Sequence, residues 1–238
     1  MKHVTLILAM LTYLASPVRA QNKTYIGFEF SMANDLYTIK DNGEYLKTVP
    51  LVNAQWGFNL RQDISKKIFI ETGFIIKYYD EGIGFKTMQY WGTAGGDNSW
   101  LIPIRFGLKL NLFKEKVRFV PIIGYSFGIN PPYGEGTARG TQKSSSITVI
   151  YSYTENPNVS RYFSLLQTGA GFEFQPFNSL LFLVSANYYK GFNTIYQLDI
   201  DYTINNSSPS TGTATSTGDF WCVSTGIKYS ISNLWTKK

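Results

Sequence analysis

The sequence of 238 residues contains one histidine and one cysteine, and these shortages exclude several kinds of chemistry. The histidine is His3, which lies in a leader-like segment at the start of the chain. A chain that loses His3 lacks the base of Ser-His-Asp and Cys-His catalysis and the histidine ligands of a zinc site. Cys222 alone forms no intramolecular disulfide. Paired carboxylates remain as potential acids and bases, but no spacing singles one pair out, and we expect no enzyme, no cofactor and no metal.

Charge and long apolar runs are also scarce. Only 16% of the residues are charged, against about 25% in a soluble domain. No stretch after residue 20 approaches the 18 consecutive apolar residues of a membrane-spanning helix. The basic residues do not gather into a stripe, so we expect no nucleic-acid partner.

Residues 1–20 have the composition of a secretory signal peptide. Lys2 supplies a positive start, and Val4–Leu14 is an apolar stretch too short to span a bilayer. A break at Ala15–Pro17 and small or tolerated residues before Gln21 follow. We therefore predict a cleaved leader over 1–20 and one mature domain over 21–238. The alternative is a buried N-terminal strand or helix.

The strongest pattern in the rest of the chain is alternation with period two. Between Trp100 and Phe113 every even position is apolar, whereas the odd positions include Arg105, Gly107 and Lys109. Such a row fits a strand with one face in an apolar medium and the other face against polar groups.

Eight stretches alternate in this way, and their connections alternate in length. Short segments at 63–67, 114–116 and 176–179 separate long ones near 33–49, 80–98, 131–160 and 191–218. This pattern predicts an all-β fold, an eight-stranded antiparallel up-and-down transmembrane β-barrel with long extracellular loops. The alternating stretches are 26–32, 52–60, 68–78, 100–113, 117–127, 166–174, 180–188 and 221–231.

Two further stretches leave the strand count open. Residues 147–153 and 195–204 also alternate, and we interpret them as strands that extend above the membrane. A barrel of ten strands is the alternative. The tract 205–217 is rich in Ser, Thr, Gly and Asn and is predicted to be a mobile loop tip.

A water-soluble, lipocalin-like barrel also has eight strands, but its polar row faces the solvent and its apolar row faces the interior. The polar row here is rich in Gly, Ser, Asn and Gln, which suits a narrow interior better than a solvent-facing surface. Aromatic residues near the strand ends also predict two interfacial girdles. These residues are Tyr78, Tyr79, Trp100, Phe113, Phe119, Phe127, Tyr188, Trp221 and Tyr229.

Two segments carry a resemblance to a known family. The C-terminal stretch with Gly226, Tyr229 and Ile231 resembles the signal by which barrel-assembly machinery recognises its substrates, although this chain continues past it to Lys238. The stretches 101–109 and 120–124 resemble the central hairpin of the outer membrane protein beta-barrel domain family, small porin-type barrels akin to OmpA and OmpX. The resemblance implies a place in the outer membrane of a Gram-negative bacterium, with membrane lipid and the assembly machinery as partners.

The polar row carries eight charged residues that would face the barrel interior. An eight-stranded barrel is only wide enough for side chains to fill it, so we predict a plug of salt bridges. The first short turn suggests Asn59 opposite Glu71, with Arg61 diagonal to Glu71. Barrel closure makes Glu29 and Lys228 another candidate pair. The eight residues are Glu29, Arg61, Glu71, Lys77, Arg105, Lys109, Glu173 and Lys228.

These features favour a monomeric, non-enzymatic barrel with a structural or interaction role. The loop segments 90–96 and 131–136 mix Gly with aromatics and are candidates for contact with an extracellular partner of unknown identity. The alternatives are a small pore or transporter for small solutes and a secreted carrier.

Overall fold

The computed structural model describes residues 23–79, 82–86, 97–113, 116–131, 136–144, 146–156 and 158–232. The leader, the C-terminal residues 233–238 and most of the loop segments 90–96 and 131–136 lie outside these ranges. The described residues are almost entirely β-structure. The strands are β1 (Thr24–Asp35), β2 (Thr38–Asp41), β3 (Leu46–Thr48), β4 (Val52–Asp63), β5 (Ile68–Tyr79), β6 (Ile83–Phe85), β7 (Asp97–Leu108), β8 (Leu110–Phe113), β9 (Val117–Ile129), β10 (Thr137–Lys143), β11 (Thr148–Glu155), β12 (Tyr162–Phe177), β13 (Leu180–Gly191), β14 (Tyr196–Ile204), β15 (Ser210–Ser216) and β16 (Phe220–Ser230).

The long strands form a closed antiparallel barrel in the order β1-β4-β5-β7-β9-β12-β13-β16, and β16 pairs with β1 to close it. β8 continues β7, because Gly107 lies opposite Ile122 and Leu110 lies opposite Phe119 in one unbroken register. The barrel therefore has eight strands. The predicted fold is confirmed, and the alternative of ten barrel strands is wrong.

The two side-chain rows of each barrel strand face different surroundings. In β1, Phe28 is 38% exposed on the outer wall, whereas the neighbouring Glu29 is 4% exposed in the interior. The same alternation recurs around the barrel and leaves a broad apolar outer surface, which in a folded protein marks contact with lipid. The soluble-carrier alternative is therefore wrong, because it requires the apolar row inside. Of the predicted girdle residues, Tyr79 is an exception, since its ring points inward and is buried.

Two prolines interrupt the ladders of the central strands. In the ladder between β5 and β7, the pairs between Thr72–Ile104 and Ile75–Leu101, which include Pro103, are missing. β7 ends at Leu108, which lies opposite Pro121 of β9. Thr72 Oγ1 donates a hydrogen bond to the carbonyl oxygen of Pro103 at 2.8 Å. The register continues past both sites, so each proline removes a ladder hydrogen bond without introducing a bulge.

Cross-strand pairs of glycine and phenylalanine fill the narrow interior. Gly107 lies opposite Phe69, and a Cβ at Gly107 would come within 2.1 Å of the Phe69 ring. Gly128 and Phe163 repeat the arrangement on another pair of strands, with an approach of 2.2 Å. These glycines are required because a ring from the facing strand already occupies the space of their side chains.

A second sheet of five strands stands at the loop end of the barrel, in the order β10-β11-β14-β15-β2. The strands predicted over 147–153 and 195–204 are confirmed as β11 and β14. The prediction of a mobile loop tip over 205–217 is wrong, because Ser210–Ser216 forms β15 between β14 and β2. The Thr and Ser residues of this tract alternate with buried Gly212, Ala214 and Ser216, which is a strand pattern that its polar composition obscured.

The five-stranded sheet and the upper barrel share one apolar core. Leu198 and Ile200 of β14 belong to the same buried cluster as Leu165 and Phe220 of the barrel wall. The short β3–β6 ribbon contributes Phe85, whose ring lies 5.4 Å from that of Tyr202. The sheet is therefore packed onto the barrel mouth.

The described residues contain almost no helix. Within the described ranges no helix is long and apolar enough to cross a membrane.

Candidate functional site: the barrel interior and the sheet above it

All eight charged residues predicted to face the interior do so, and each is at most 6% exposed. The structure adds two acids that the sequence prediction missed, Asp35 and Asp63. The alternation of β1 and β4 continues to these positions, so following each row two to four residues further would have found them. Ten almost fully buried charges, five acidic and five basic, then lie in the interior and form three groups with equal numbers of acids and bases. Arg118, on the same interior row of β9 and 18% exposed, lies 3.9 Å from Glu173 and adds a positive charge at the edge of the group nearest the short turns.

The central network consists of Glu29, Glu71, Arg105 and Lys228. The Arg105 guanidinium donates to both oxygens of Glu29, at 2.6 and 2.8 Å, and to Glu71 at 3.0 Å. Lys228 Nζ pairs with the other oxygen of Glu71. Two anions and two cations are thus in direct contact, as buried charges require.

Neutral polar groups complete the central network. Gln167 Oε1 accepts a hydrogen bond from Arg105 Nε at 2.9 Å, and Asn59 Nδ2 donates to Glu29 at 3.2 Å. Gln167 Nε2 donates in turn to Asn187 at 2.9 Å. A cavity of about 10 Å³ remains among these groups, which is the space needed for about one water molecule.

The lower network lies nearer the short turns and consists of Arg61, Asp63, Lys109 and Glu173. Arg61 donates to Asp63 at 3.0 Å and pairs with Glu173, while Lys109 Nζ lies 2.8 Å from Asp63. The guanidinium carbon of Arg61 also lies 3.6 Å from the centroid of the Phe69 ring. Arg61 is fully buried, and two carboxylates and the face of an aromatic ring compensate its charge.

The upper pair, Lys77 and Asp35, lies near the barrel mouth. Lys77 Nζ is 2.6 Å from Asp35 Oδ1, and Asn53 Nδ2 donates to the other oxygen of Asp35 at 2.6 Å. The same ammonium lies 3.7 Å from the centroid of the Tyr79 ring and 4.6 Å from that of Phe220. This pair connects the charged interior to the apolar core above it.

The predicted pairings within the interior are corrected by the register. Asn59 lies opposite Gly73 rather than Glu71, and Arg61 lies opposite Glu71. Arg61 nevertheless forms its ion pairs with Asp63 and Glu173, because Glu71 is taken by Arg105 and Lys228. The predicted pair of Glu29 and Lys228 is also wrong, because Glu29 pairs with Arg105 and Lys228 pairs with Glu71. Glu71 and Arg105 do lie opposite each other on adjacent strands, but Arg61 with Glu173, Arg105 with Glu29 and Lys228 with Glu71 pair across the lumen. The order of strands along the chain does not reveal these partners.

Cys222 and the proposed assembly signal occupy β16 and its end. Cys222 is buried on the interior row and accepts a weak contact from Gln55 Nε2 at 3.5 Å. Gly226 faces inward, whereas Tyr229 is 48% exposed on the lipid-facing row, and Ile231 N–H donates to the carbonyl of Thr24.

Within the described part of the chain, no group of three or more His, Cys, Asp or Glu side chains could hold a metal ion.

Above the barrel, Asp41 holds the end of β2 against β14. Its carboxylate accepts hydrogen bonds from Leu46 N–H at 2.6 Å, Gly43 N–H at 3.0 Å and the Tyr202 hydroxyl at 2.7 Å. Burial alone would raise the pKa of Asp41, but these donors hold the pKa below its ordinary value. Burial and the nearby carboxylate raise the pKa of Tyr202 to about 12.

Fold and interior together define the class of this protein as an eight-stranded transmembrane β-barrel with an ion-paired interior. No protein-family model and no curated protein matches the sequence. Solved structures with a similar architecture include Neisserial surface protein A, at 8% identity over 88% of this chain and 99% of that chain, with a TM-score of 0.45.

Two further solved structures match this chain over most of its length. The N-terminal β-barrel domain of Pseudomonas aeruginosa OprF has 7% identity over 89% of this chain and all of that chain, with a TM-score of 0.41. The outer membrane protease OmpT from Escherichia coli has 8% identity over 91% of this chain and all of that chain, with a TM-score of 0.40. At such identities the likeness concerns the fold alone and assigns no activity.

The first prediction concerns the partner of Arg61. Arg61→Ala and Glu173→Ala should each destabilise the barrel by about 3–5 kcal/mol, because each removes a direct ion pair and leaves the lower network with a buried charge that is less well compensated. The double variant should lose less than the sum, with a coupling of about 1–3 kcal/mol. Urea unfolding in lipid vesicles measures these free energies. A cycle of Arg61 with Glu71 serves as the control, and a larger coupling there would contradict the arrangement described.

The second prediction concerns the titration of Asp41. Because its pKa is lower in the folded state, Asp41 stabilises the sheet above the ordinary aspartate pKa of about 4, and this stabilisation is lost as the pH falls through the folded value. Tyr202→Phe removes one donor and should move the pKa of Asp41 upward. Carboxyl-carbon NMR titration of the nanodisc-embedded protein measures the shift. An unchanged titration in Tyr202→Phe would show that the hydroxyl does not hold the carboxylate.

Proposed function

We propose that this chain is an exported, non-enzymatic barrel of a Gram-negative outer membrane that holds a folded β-sheet outside the cell. Export would use the leader over 1–20, and insertion would use the C-terminal signal around Tyr229 and the barrel-assembly machinery. The apolar outer wall supports the membrane placement. The single observation that carries the proposal is the ion-paired interior beneath a mouth covered by the five-stranded sheet.

The interior argues for a sealed barrel. All ten interior charges lie in ion pairs, and the space left among the central ones holds about one water molecule. Apolar side chains such as Leu101 and Phe163 close the interior toward the mouth. A solute pathway would have to break several buried ion pairs at once. A structural or interaction role therefore fits better than the pore alternative.

The sheet supports an interaction role. It buries one face, with Leu198, Ile200 and Tyr202, against the barrel. The opposite face presents mainly Thr, Ser, Asp and Arg side chains, together with Ile150, which is 47% exposed. A folded, polar surface anchored on a rigid barrel is suited to contact other molecules at the cell surface.

The third prediction tests the placement of the sheet. The sole native thiol, Cys222, is buried, so the unmodified protein should not react with a membrane-impermeant maleimide on intact cells. Thr154→Cys, on the exposed face of β11, should be labelled under the same conditions. Lys66→Cys, in a short turn, should be labelled only after the outer membrane is permeabilised. Labelling of Lys66→Cys in intact cells would contradict the orientation.

The fourth prediction tests the seal. The mature protein in planar bilayers should show no steady conductance. Arg105→Ala combined with Lys228→Ala leaves Glu29 and Glu71 unpaired, so water should enter and a small cation-selective conductance should follow. Phe182→Leu, on the lipid-facing row, is the silent control. A steady conductance in the unmodified protein would favour the pore alternative instead.

A further inference from the structure

The five-stranded sheet ends in a long edge strand. β10 pairs with β11 on one side, and no other described strand pairs with its second side. None of its seven residues is buried, in contrast to β11, β14 and β15, which each contain buried residues. β2, at the opposite edge, has only four residues. β10 is therefore the longer free edge of the described sheet.

The hydrogen bonds that flank the β10–β11 ladder show which backbone groups of β10 point outward. Glu155 N–H donates to the carbonyl of Gly136, and Ser144 N–H donates to the carbonyl of Ile147. Both pairs lie in the register of the ladder, and hydrogen-bonded positions alternate in antiparallel strands. The even-numbered residues therefore bond to β11. The odd-numbered residues, among them Arg139 and Thr141, direct their N–H and C=O groups to the free edge.

The side chains on this edge carry one sign of charge. β10 contains Arg139 and Lys143 and no acidic residue. Arg139 and Lys143 are both odd-numbered positions, whose backbone groups point to the free edge. Because they are four residues apart, their side chains lie on the same face of the strand. Neither makes an ion pair within the part of the chain that the structure describes. Cations on an edge strand oppose pairing with another cationic edge, including that of a second copy.

We propose that β10 is a docking edge that binds an extended acidic segment of a partner protein by adding it as a sixth strand. Backbone groups at Thr137, Arg139, Thr141 and Lys143 supply the ladder hydrogen bonds. Carboxylates at two positions four residues apart in the partner lie opposite Arg139 and Lys143. The inference rests on the proposed interaction role and specifies the chemistry of the partner.

The probe is a capped, fluorescein-labelled peptide of seven residues with Glu at the first and fifth positions and Thr elsewhere. Fluorescence anisotropy measures its binding to the full mature chain in nanodiscs. The same peptide with Lys in place of Glu should bind at least about tenfold more weakly, as should the acidic peptide to Arg139→Glu or Lys143→Glu. Added salt should weaken the binding of the acidic peptide.

Thr141 provides the test that separates strand addition from simple charge attraction. Thr141→Pro removes an outward N–H without touching the ladder to β11, and proline is tolerated at such edge positions. Thr141→Val keeps the N–H and the β-branched shape. We expect the proline variant to bind the acidic peptide at least about tenfold more weakly and the valine variant to bind it like the unmodified protein.

Equal binding by both Thr141 variants would overturn strand addition, and equal binding of the Glu and Lys peptides would overturn the acidic specificity. Absence of peptide binding to folded protein would overturn the docking edge as a whole. The labelling of Thr154→Cys and the absence of conductance do not depend on β10 binding. Failure of the docking edge is therefore distinguishable from failure of the proposed function.

Discussion

The compensation of buried charge is the constraint on which the rest of this structure depends. Alternation along the barrel strands points ten ionisable side chains into the barrel interior, which is too narrow for bulk water. An isolated charge in such a space is costly. The chain meets this constraint with three groups of ion pairs in which every acid lies beside a base. Arg105 is the most connected member, because it binds two carboxylates together with Gln167 and Tyr189. Strand order and register must bring these partners together across the lumen.

The packing above the network follows from the same need to exclude water. Charge pairs are strongest where solvent is absent, and the apolar cluster at the mouth keeps solvent away from Lys77 and Asp35. The five-stranded sheet completes that cluster with Leu198, Ile200 and Tyr202. The sheet therefore covers the interior with one face, and within the described part of the chain no strand pairs with the outer edge of β10.

Much of the fold could be predicted from the sequence because period-two alternation is a local property. The eight barrel strands, their inner and outer rows and the inward position of all eight predicted charges follow from it. The prediction failed where alternation was masked by composition, as in β15, where Thr and Ser alternate with small buried residues. It also missed Asp35 and Asp63, because acidic residues near a turn resemble turn residues. Tyr79 was assigned to a girdle by residue type although its position in the row points inward.

The sequence by itself separated the two side-chain rows of each strand, because neighbouring side chains on a strand point in opposite directions. The Gly, Ser, Asn and Gln residues of the polar row favoured the interior for that row. Only the tertiary structure decided which charges pair. Arg61 lies directly opposite Glu71 on the adjacent strand but binds Glu173, which comes from the far side of the barrel. Such partners are set by the curvature and closure of the sheet. The same is true of the position of β10 at the edge of the described five-stranded sheet, which follows from the assembly of the loop strands into a separate sheet.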